Sequence, residues 1–196
     1  MEFTTLALGV HLYSNVQGAA PIITAVESIL SPDKEIDWAQ AKISVRGGDY
    51  KVDPSFRDNL FFSMNFNNPH LSEESKNNIK DVSTIIDIAV QSALSHYQES
   101  LGVWIGKQEP YEILKYSKNN HLNWHTDDGS SERSRVSMLY YLNDDYEGGE
   151  LEFANFDVLY KPVAGDILIF PSSFIYKHRV RQVTEGTRYV IADFMA

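Results

Sequence analysis

The stretch from Tyr176 to Phe194 reads YKHRVRQVTEGTRYVIADF. Two runs of strand-forming residues, Tyr176 to Val183 and Thr187 to Phe194, flank Gly186, the pattern of two short strands joined by a turn. Side chains two apart on a strand share a face. His178 therefore lies with Val180, and Arg188 lies with Val190, Ala192 and Phe194, so His178 and Arg188 can point into one barrel. Lys177, Arg179 and Arg181 fall on the opposite face of the first run. They read as a solvated strand face or, with Arg133 and Arg135, as a cationic rim for an acidic substrate.

Working back from this stretch, further strands are expected at Tyr111–Tyr116, Ser134–Leu142, Glu150–Phe153, Val158–Lys161 and Asp166–Phe170. Short strands at roughly ten-residue spacing suggest a jelly roll or a related small barrel. Gly148-Gly149 and Gly165-Asp166 read as tight strand connections without chemistry. The N-terminal half differs in character. Leu6, Leu8, Val10 and Leu12 alternate as in one strand over residues 3–15, and a helix is expected from Pro21 through Ile22 to Leu30, stopped by Ser31-Pro32-Asp33. Trp38 to Val45 reads as a strand before a Gly47-Gly48-Asp49 turn, and the Asn- and Phe-rich run from Arg57 to Pro69 as a loop or hairpin over a pocket. Ser72 with Glu74 opens the clearest helix, to about Ser100, with Ile79, Val82, Ile85, Ile86, Ala89 and Ala93 on its apolar stripe.

Between the expected strands Tyr111–Tyr116 and Ser134–Leu142 stands His125-Thr126-Asp127. Two positions apart on an extended strand, a His and an Asp can reach one ion, and His178 is a candidate third ligand. Two His and one carboxylate on one face of a metal leave positions open, which suits non-haem Fe(II) that must also bind a cosubstrate and dioxygen. The neighbouring Trp124 reads as a packing residue or a wall of a substrate mouth, and Asp128 as a solvated acid. His11, His70, His96 and His121 carry no assigned role.

Tyr116, His125 with Asp127, the SMLYYLN run of residues 137–143, Glu147-Gly148-Gly149-Glu150, residues 162–171, His178 and Gly186-Thr187-Arg188-Tyr189 follow one another in an order and spacing that resemble the Fe(II)/2-oxoglutarate dioxygenases of the prolyl 4-hydroxylase type. The resemblance covers about residues 108–196. It implies an α+β, mainly β fold: a double-stranded β-helix (jelly-roll, cupin-like) core with supporting N-terminal helices. It also implies that His125, Asp127 and His178 bind Fe(II), that Arg188 and Tyr141 hold the far carboxylate of 2-oxoglutarate, and that Tyr116 lines the same pocket. O2 would be the oxidant, with ascorbate as a reductant. Arg188, where collagen-type members use a lysine, places the chain nearer the oxygen-sensing and the bacterial or viral members. Glycine usually follows the tyrosine at the Tyr116 position, whereas here the run is Ser117-Lys118-Asn119-Asn120; Asn tolerates left-handed backbone, so the turn is expected to survive.

At 196 residues one domain is expected, with 1–107 as support and a possible substrate loop, and 108–196 as the catalytic core. A net charge of -10 disfavours a nucleic-acid partner. The absence of cysteine excludes disulfides and thiolate metal sites. No leader or membrane span is read, so a cytoplasmic location is expected. The function expected is hydroxylation of an unactivated C–H, with a peptidyl proline as the leading substrate. A small metabolite, free amino acid or nucleobase is the second reading, and a non-catalytic cupin-like binder the third.

Overall fold

The computed structural model describes residues 1–29, 37–44, 49–106, 110–128 and 135–196. The chain opens with strands β1 (Glu2–Ala7) and β2 (Val10–Ser14) and helix α1 (Ala19–Ile29). Short strands β3 (Ala39–Gln40), β4 (Ile43–Ser44), β5 (Tyr50–Lys51), β6 (Arg57–Asp58) and β7 (Leu60–Ser63) precede the long helix α2 (Glu73–Leu101). Then come β8 (Glu112–Tyr116), β9 (His121–His125), β10 (Val136–Tyr141), β11 (Glu147–Gly148), β12 (Leu151–Phe153) and β13 (Val158–Tyr160). The last elements are β14 (Ile167–Pro171), a 3-10 turn at Phe174–Tyr176, β15 (His178–Val180), β16 (Val183–Glu185) and β17 (Arg188–Met195).

An eight-stranded sheet in the order β1-β2-β14-β10-β17-β8-β7-β3 faces a five-stranded sheet in the order β13-β12-β15-β9-β6. Every pairing is antiparallel. Strand β17 shows why the large sheet lies in the middle. Arg188, Val190 and Ala192 turn to the layer between the sheets, while Tyr189, Ile191 and Met195 turn to the helices, and all six are buried. A strand buried on both faces needs a cover on each. The helices cover one face, packing Ile79, Ile86 and Tyr97 against Tyr140, Ile169 and Ile191. The small sheet covers the other with Leu122, Leu151, Phe153 and Val180. This is the double-stranded β-helix with helical support that the sequence led us to expect.

Helix α2 begins where its local chemistry directs. Ser72 Oγ accepts from Ser75 N at 3.2 Å, and Glu73 and Glu74 occupy the positive first turn. Gly102, at φ 61, ends it with its N–H on Gln98 O. The buried stripe runs Ile79, Val82, Ile86, Val90, Ala93, Tyr97. Ile85, expected on that stripe, is 42% exposed, because it sits one residue, about 100°, off the Ile86 position.

The N-terminal expectations need correction. Residues 3–15 form a hairpin, not one strand: Gly9, at φ 71, turns the chain between β1 and β2, and Leu8 at the turn is 80% exposed. Trp38–Val45 is not one strand either, since β3 pairs with β7 in the large sheet while β4 pairs with β5. Leu30, Ser31-Pro32-Asp33, Val45 and Gly47-Gly48 lie outside the described residues. The run from Arg57 to Pro69 does line a pocket, through Arg57, Ser63 and Asn65, but its first half is strand that forms neither one loop nor one hairpin, β6 extending the small sheet and β7 the large one. Tyr176–Val183 divides into the 3-10 turn, β15 and the start of β16. No described helix is long and apolar enough to cross a membrane.

Gly148 has φ 71, and a Cβ built there overlaps the carbonyl oxygen of Gln182. Gly148→Ala is expected to lower the unfolding free energy by about 1–2 kcal/mol from the backbone conformation alone, and further through the overlap, read as a lower denaturant midpoint by circular dichroism.

Candidate active site

Strand β9 ends on His125, and β15 begins on His178 directly opposite it. Asp127 follows just beyond the end of β9, so the His and Asp converge from a strand end and the residues after it, not from two positions within one strand. The ligand-capable atoms of His125, Asp127 and His178 lie within 4.8 Å of one another. His125 Nε2 is 3.3 Å from Asp127 Oδ1, and His178 Nε2 is 3.7 Å from Asp127 Oδ2.

The surroundings prepare these atoms. His125 Nδ1 faces the carbonyl of Asn123 at 2.9 Å, and His178 Nδ1 that of Tyr176 at 3.0 Å. A carbonyl can only accept, so each Nδ1 carries the proton and each Nε2 is left with its lone pair. Burial, with His125 beside it, pulls His178 down to about 4, so the ring is neutral at physiological pH. Burial pushes the Asp127 carboxyl up, but attraction to the imidazolium forms of His178 and His125, with the Ser137 hydroxyl, outweighs it and holds the group well below the usual carboxylate range. Ser137 Oγ donates to Asp127 Oδ2 at 2.6 Å and lies 2.8 Å from Ser172 Oγ. Two neutral imidazoles and one carboxylate form a donor set that fits a divalent Fe(II)-type ion. Ser137→Ala is expected to weaken metal binding by about 10- to 100-fold, the usual cost of losing a partner that orients a ligand. Titrating the protein with Co(II) as a spectroscopic probe checks this.

A second feature lies deeper in the same cavity. Arg188 is 1% exposed, and its Nε, Nη1 and Nη2 have no hydrogen-bond partner among the described residues. The hydroxyls of Tyr141 and Tyr146 are likewise buried and unpartnered. The guanidinium lies over the rings of Tyr116 at 4.9 Å and Tyr141 at 5.2 Å. A buried cation without an anion is costly. Five fork donors and two phenols that face one another around no anion of the described residues form a cradle that fits a carboxylate. The cavity measures ≈ 980 Å³, running from Arg188 and Tyr116 past Leu114, Leu139 and Val190 to the triad and outward to β4–β6.

The structure thus brings His125, Asp127, His178, Arg188, Tyr141 and Tyr116 together. Asn119 adopts φ 74, so the turn after Tyr116 survives without glycine, closed by Ser117 N on Asn120 Oδ1 at 2.8 Å. Trp124 is a packing residue: it lies under the Arg179 guanidinium at 4.6 Å and does not line the cavity. Asp128 is exposed. On the outer face of β15 Arg179 and Arg181 share Glu152 at 2.7 and 2.8 Å, so one acid offsets part of the positive charge there; Arg133 lies outside the described residues. His11 and His96 belong to an aromatic cluster with Phe3, Tyr13 and Tyr97, remote from the triad.

Three contributors take on roles that the sequence does not assign, Gly149 reading there as part of a tight connection and Arg57 as the start of a run over a pocket. Tyr146 joins the Arg188 cradle from the irregular segment before β11. Gly149, at φ 67, lets the Arg188 stem pass: a Cβ there would lie 3.1 Å from Arg188 Cδ. Arg57, on β6, reaches the cavity wall because β6 pairs with β9.

Residues 111–196 match the family model of the 2OG-Fe(II) oxygenase superfamily. A PKHD-type hydroxylase of Prochlorococcus marinus is 32% identical over 142 residues, 69% of this chain and 62% of that protein. One from Rippkaea orientalis is 42% identical over 67 residues, 32% of this chain and 29% of that protein. The matches thus span less than two thirds of these relatives' length. Among solved structures, a Trichoplax adhaerens prolyl hydroxylase in complex with a hypoxia inducible factor peptide fragment superposes with TM-score 0.72 at 19% identity, covering 95% of this chain and 83% of that one. A Pseudomonas putida prolyl-4-hydroxylase gives 0.62 at 16%, covering 95% and 91%. At these identities the likeness is one of fold.

Proposed function

We propose, on the premise that residues 111–196 carry the core of a 2OG-Fe(II) oxygenase, that this chain is an Fe(II)- and 2-oxoglutarate-dependent dioxygenase. It hydroxylates an unactivated C–H, with a prolyl residue in a peptide as the leading substrate. Residues 1–196 act as a single domain, the N-terminal strands and helices bracing the core. The observation that carries the proposal is the convergence in one cavity of a two-His, one-carboxylate cluster with a buried, unpaired Arg188.

His125, Asp127 and His178 would hold the iron. With 2-oxoglutarate and O2, bound Fe(II) supplies the oxidation, in which 2-oxoglutarate leaves as succinate and CO2 and one oxygen atom enters the substrate C–H. The chain's own residues supply position. Arg188 donates to the far carboxylate of 2-oxoglutarate through its planar fork, and Tyr141 and Tyr146 donate from the sides. Leu114, Leu139 and Val190 make a dry sleeve between that carboxylate and the triad, which strengthens each electrostatic interaction inside it. Ser137 holds Asp127 in the carboxylate form turned toward both imidazoles.

Two observations favour a peptide over a small metabolite. The cavity, at ≈ 980 Å³, stands at the top of the roughly 300–1,000 Å³ range of small-ligand sites, and it opens along β4, β5 and β6. The Trichoplax adhaerens neighbour of the same fold holds a peptide fragment. Proline-containing peptides and free amino acids incubated with Fe(II), 2-oxoglutarate and ascorbate separate the readings. A mass gain of one oxygen on a peptide is expected. A gain confined to free amino acids moves the assignment to the small-molecule reading, and no gain with no succinate leaves a cupin-like binder.

A further inference from the structure

We propose that Glu112 selects the substrate of this site by pairing with a cationic group, an amine or a guanidinium, that the substrate carries beside the carbon to be oxidised. The proposal rests on the oxygenase reading above and names the substrate class that reading leaves open.

Glu112 opens β8 and shares its face with Leu114 and Tyr116. Register fixes its place. Tyr116 pairs with Arg188, Leu114 with Val190 and Glu112 with Ala192. Four residues of strand separate Glu112 from Tyr116, about 13 Å, so Glu112 stands at the far end of the row from the dicarboxylate cradle. Ser137, which holds Asp127, lies at that same end, opposite Phe194 and next to the Leu139–Ala192 pair. A dicarboxylate stretched from Arg188 to the triad leaves Glu112 facing the space beyond it, where a substrate must lie.

The Glu112 carboxylate feels the charge of Arg57 but is not directly bonded to it. Among the described residues it makes no hydrogen bond and no ion pair, although it lines a half-buried wall. Arg57, whose charge Glu112 feels, directs Nε to Asn59 Oδ1 at 2.9 Å and Nη1 to Lys42 O at 3.4 Å. Asn59 is itself fixed, 1% exposed with Nδ2 on Leu60 O at 2.8 Å. Burial first, and the Asp127 charge, raise the Glu112 pKa above its ordinary value against the opposing pull of Arg57, so a cation brought by the substrate supplies the stabilisation that the carboxylate form lacks here. The far field agrees with the local one. The net charge of -10 draws cations toward the protein, and Glu152 offsets part of the charge of the outer arginines.

The test uses three fluorescein-labelled, proline-centred pentapeptides that differ in one residue beside the proline, Lys, Met or Glu, with free lysine as competitor. Anisotropy is read on the full chain loaded with Fe(II) and 2-oxoglutarate under nitrogen. Wild type is expected to bind the Lys peptide at least ~30-fold tighter than the Glu peptide, the low end for a desolvated charge pair. Glu112→Gln should abolish that preference, and Glu112→Lys should reverse it toward the Glu peptide. Competition by free lysine that is lost in Glu112→Gln also supports the proposal and identifies the cation's source as a small amine. Equal binding of the Lys and Glu peptides by wild type, a Lys preference that persists in Glu112→Gln, or failure of every cationic probe to bind wild type would overturn it. Succinate release by wild type without any peptide reports on the oxygenase reading separately.

Discussion

Arg188→Met is expected to raise the 2-oxoglutarate concentration needed for half-maximal turnover by at least ~30-fold, while leaving the protein without 2-oxoglutarate no less stable than wild type. The two halves of this expectation have one cause. Arg188 is fully buried, and all three of its nitrogens lack a partner, so in the absence of an anion its desolvation is uncompensated. Methionine keeps most of the stem that packs beside Gly149 and between Tyr116 and Tyr141 and removes that penalty. Truncating one side of a buried, hydrogen-bonded charge pair costs about 2–5 kcal/mol of binding, or roughly 30- to 5,000-fold. Thermal unfolding with and without 2-oxoglutarate reads both effects. Wild type should gain stability as ligand rises above its dissociation constant, and Arg188→Met should not respond over the same range. A variant that loses stability and keeps its 2-oxoglutarate response would show that Arg188 is structural.

His125→Ala is expected to abolish succinate formation and to weaken divalent metal binding by more than the ~10- to 100-fold forecast for Ser137→Ala, because it removes a ligand rather than a ligand's support. His125 is the better choice for this test than His178. The His178 ring packs against Phe153 and Phe170, at 5.6 and 5.0 Å between centroids, so its loss also opens the core, whereas His125 keeps 18% of its side-chain surface exposed. Unfolding should therefore be nearly unchanged without metal, and the stabilisation that added Co(II) gives wild type should disappear.

The site was legible where its residues sit on strands with clean alternation. His178 with Val180, and Arg188 with Val190 and Ala192, kept the faces that period two assigns them. Asn119 took the left-handed conformation its residue type permits. What stayed hidden depends on pairings between distant segments. Tyr146 and Gly149 meet Arg188 because β11 is drawn against β16, and Arg57 reaches the cavity because β6 adds to β9; no local pattern encodes either pairing. The alternation of Leu6, Leu8, Val10 and Leu12 ran unbroken across a hairpin turn, since a two-residue period does not register a reversal of direction at Gly9. Strands of two residues, such as β3 and β4, are too short to show any period.

The central claim, that the triad and Arg188 serve one oxidation, is met most directly by measuring succinate released from 2-oxoglutarate by the purified chain with Fe(II) and O2 in the absence of any added substrate. The account predicts slow release that requires both Fe(II) and 2-oxoglutarate and vanishes in His125→Ala. No release from wild type, or equal release from His125→Ala, would contradict it.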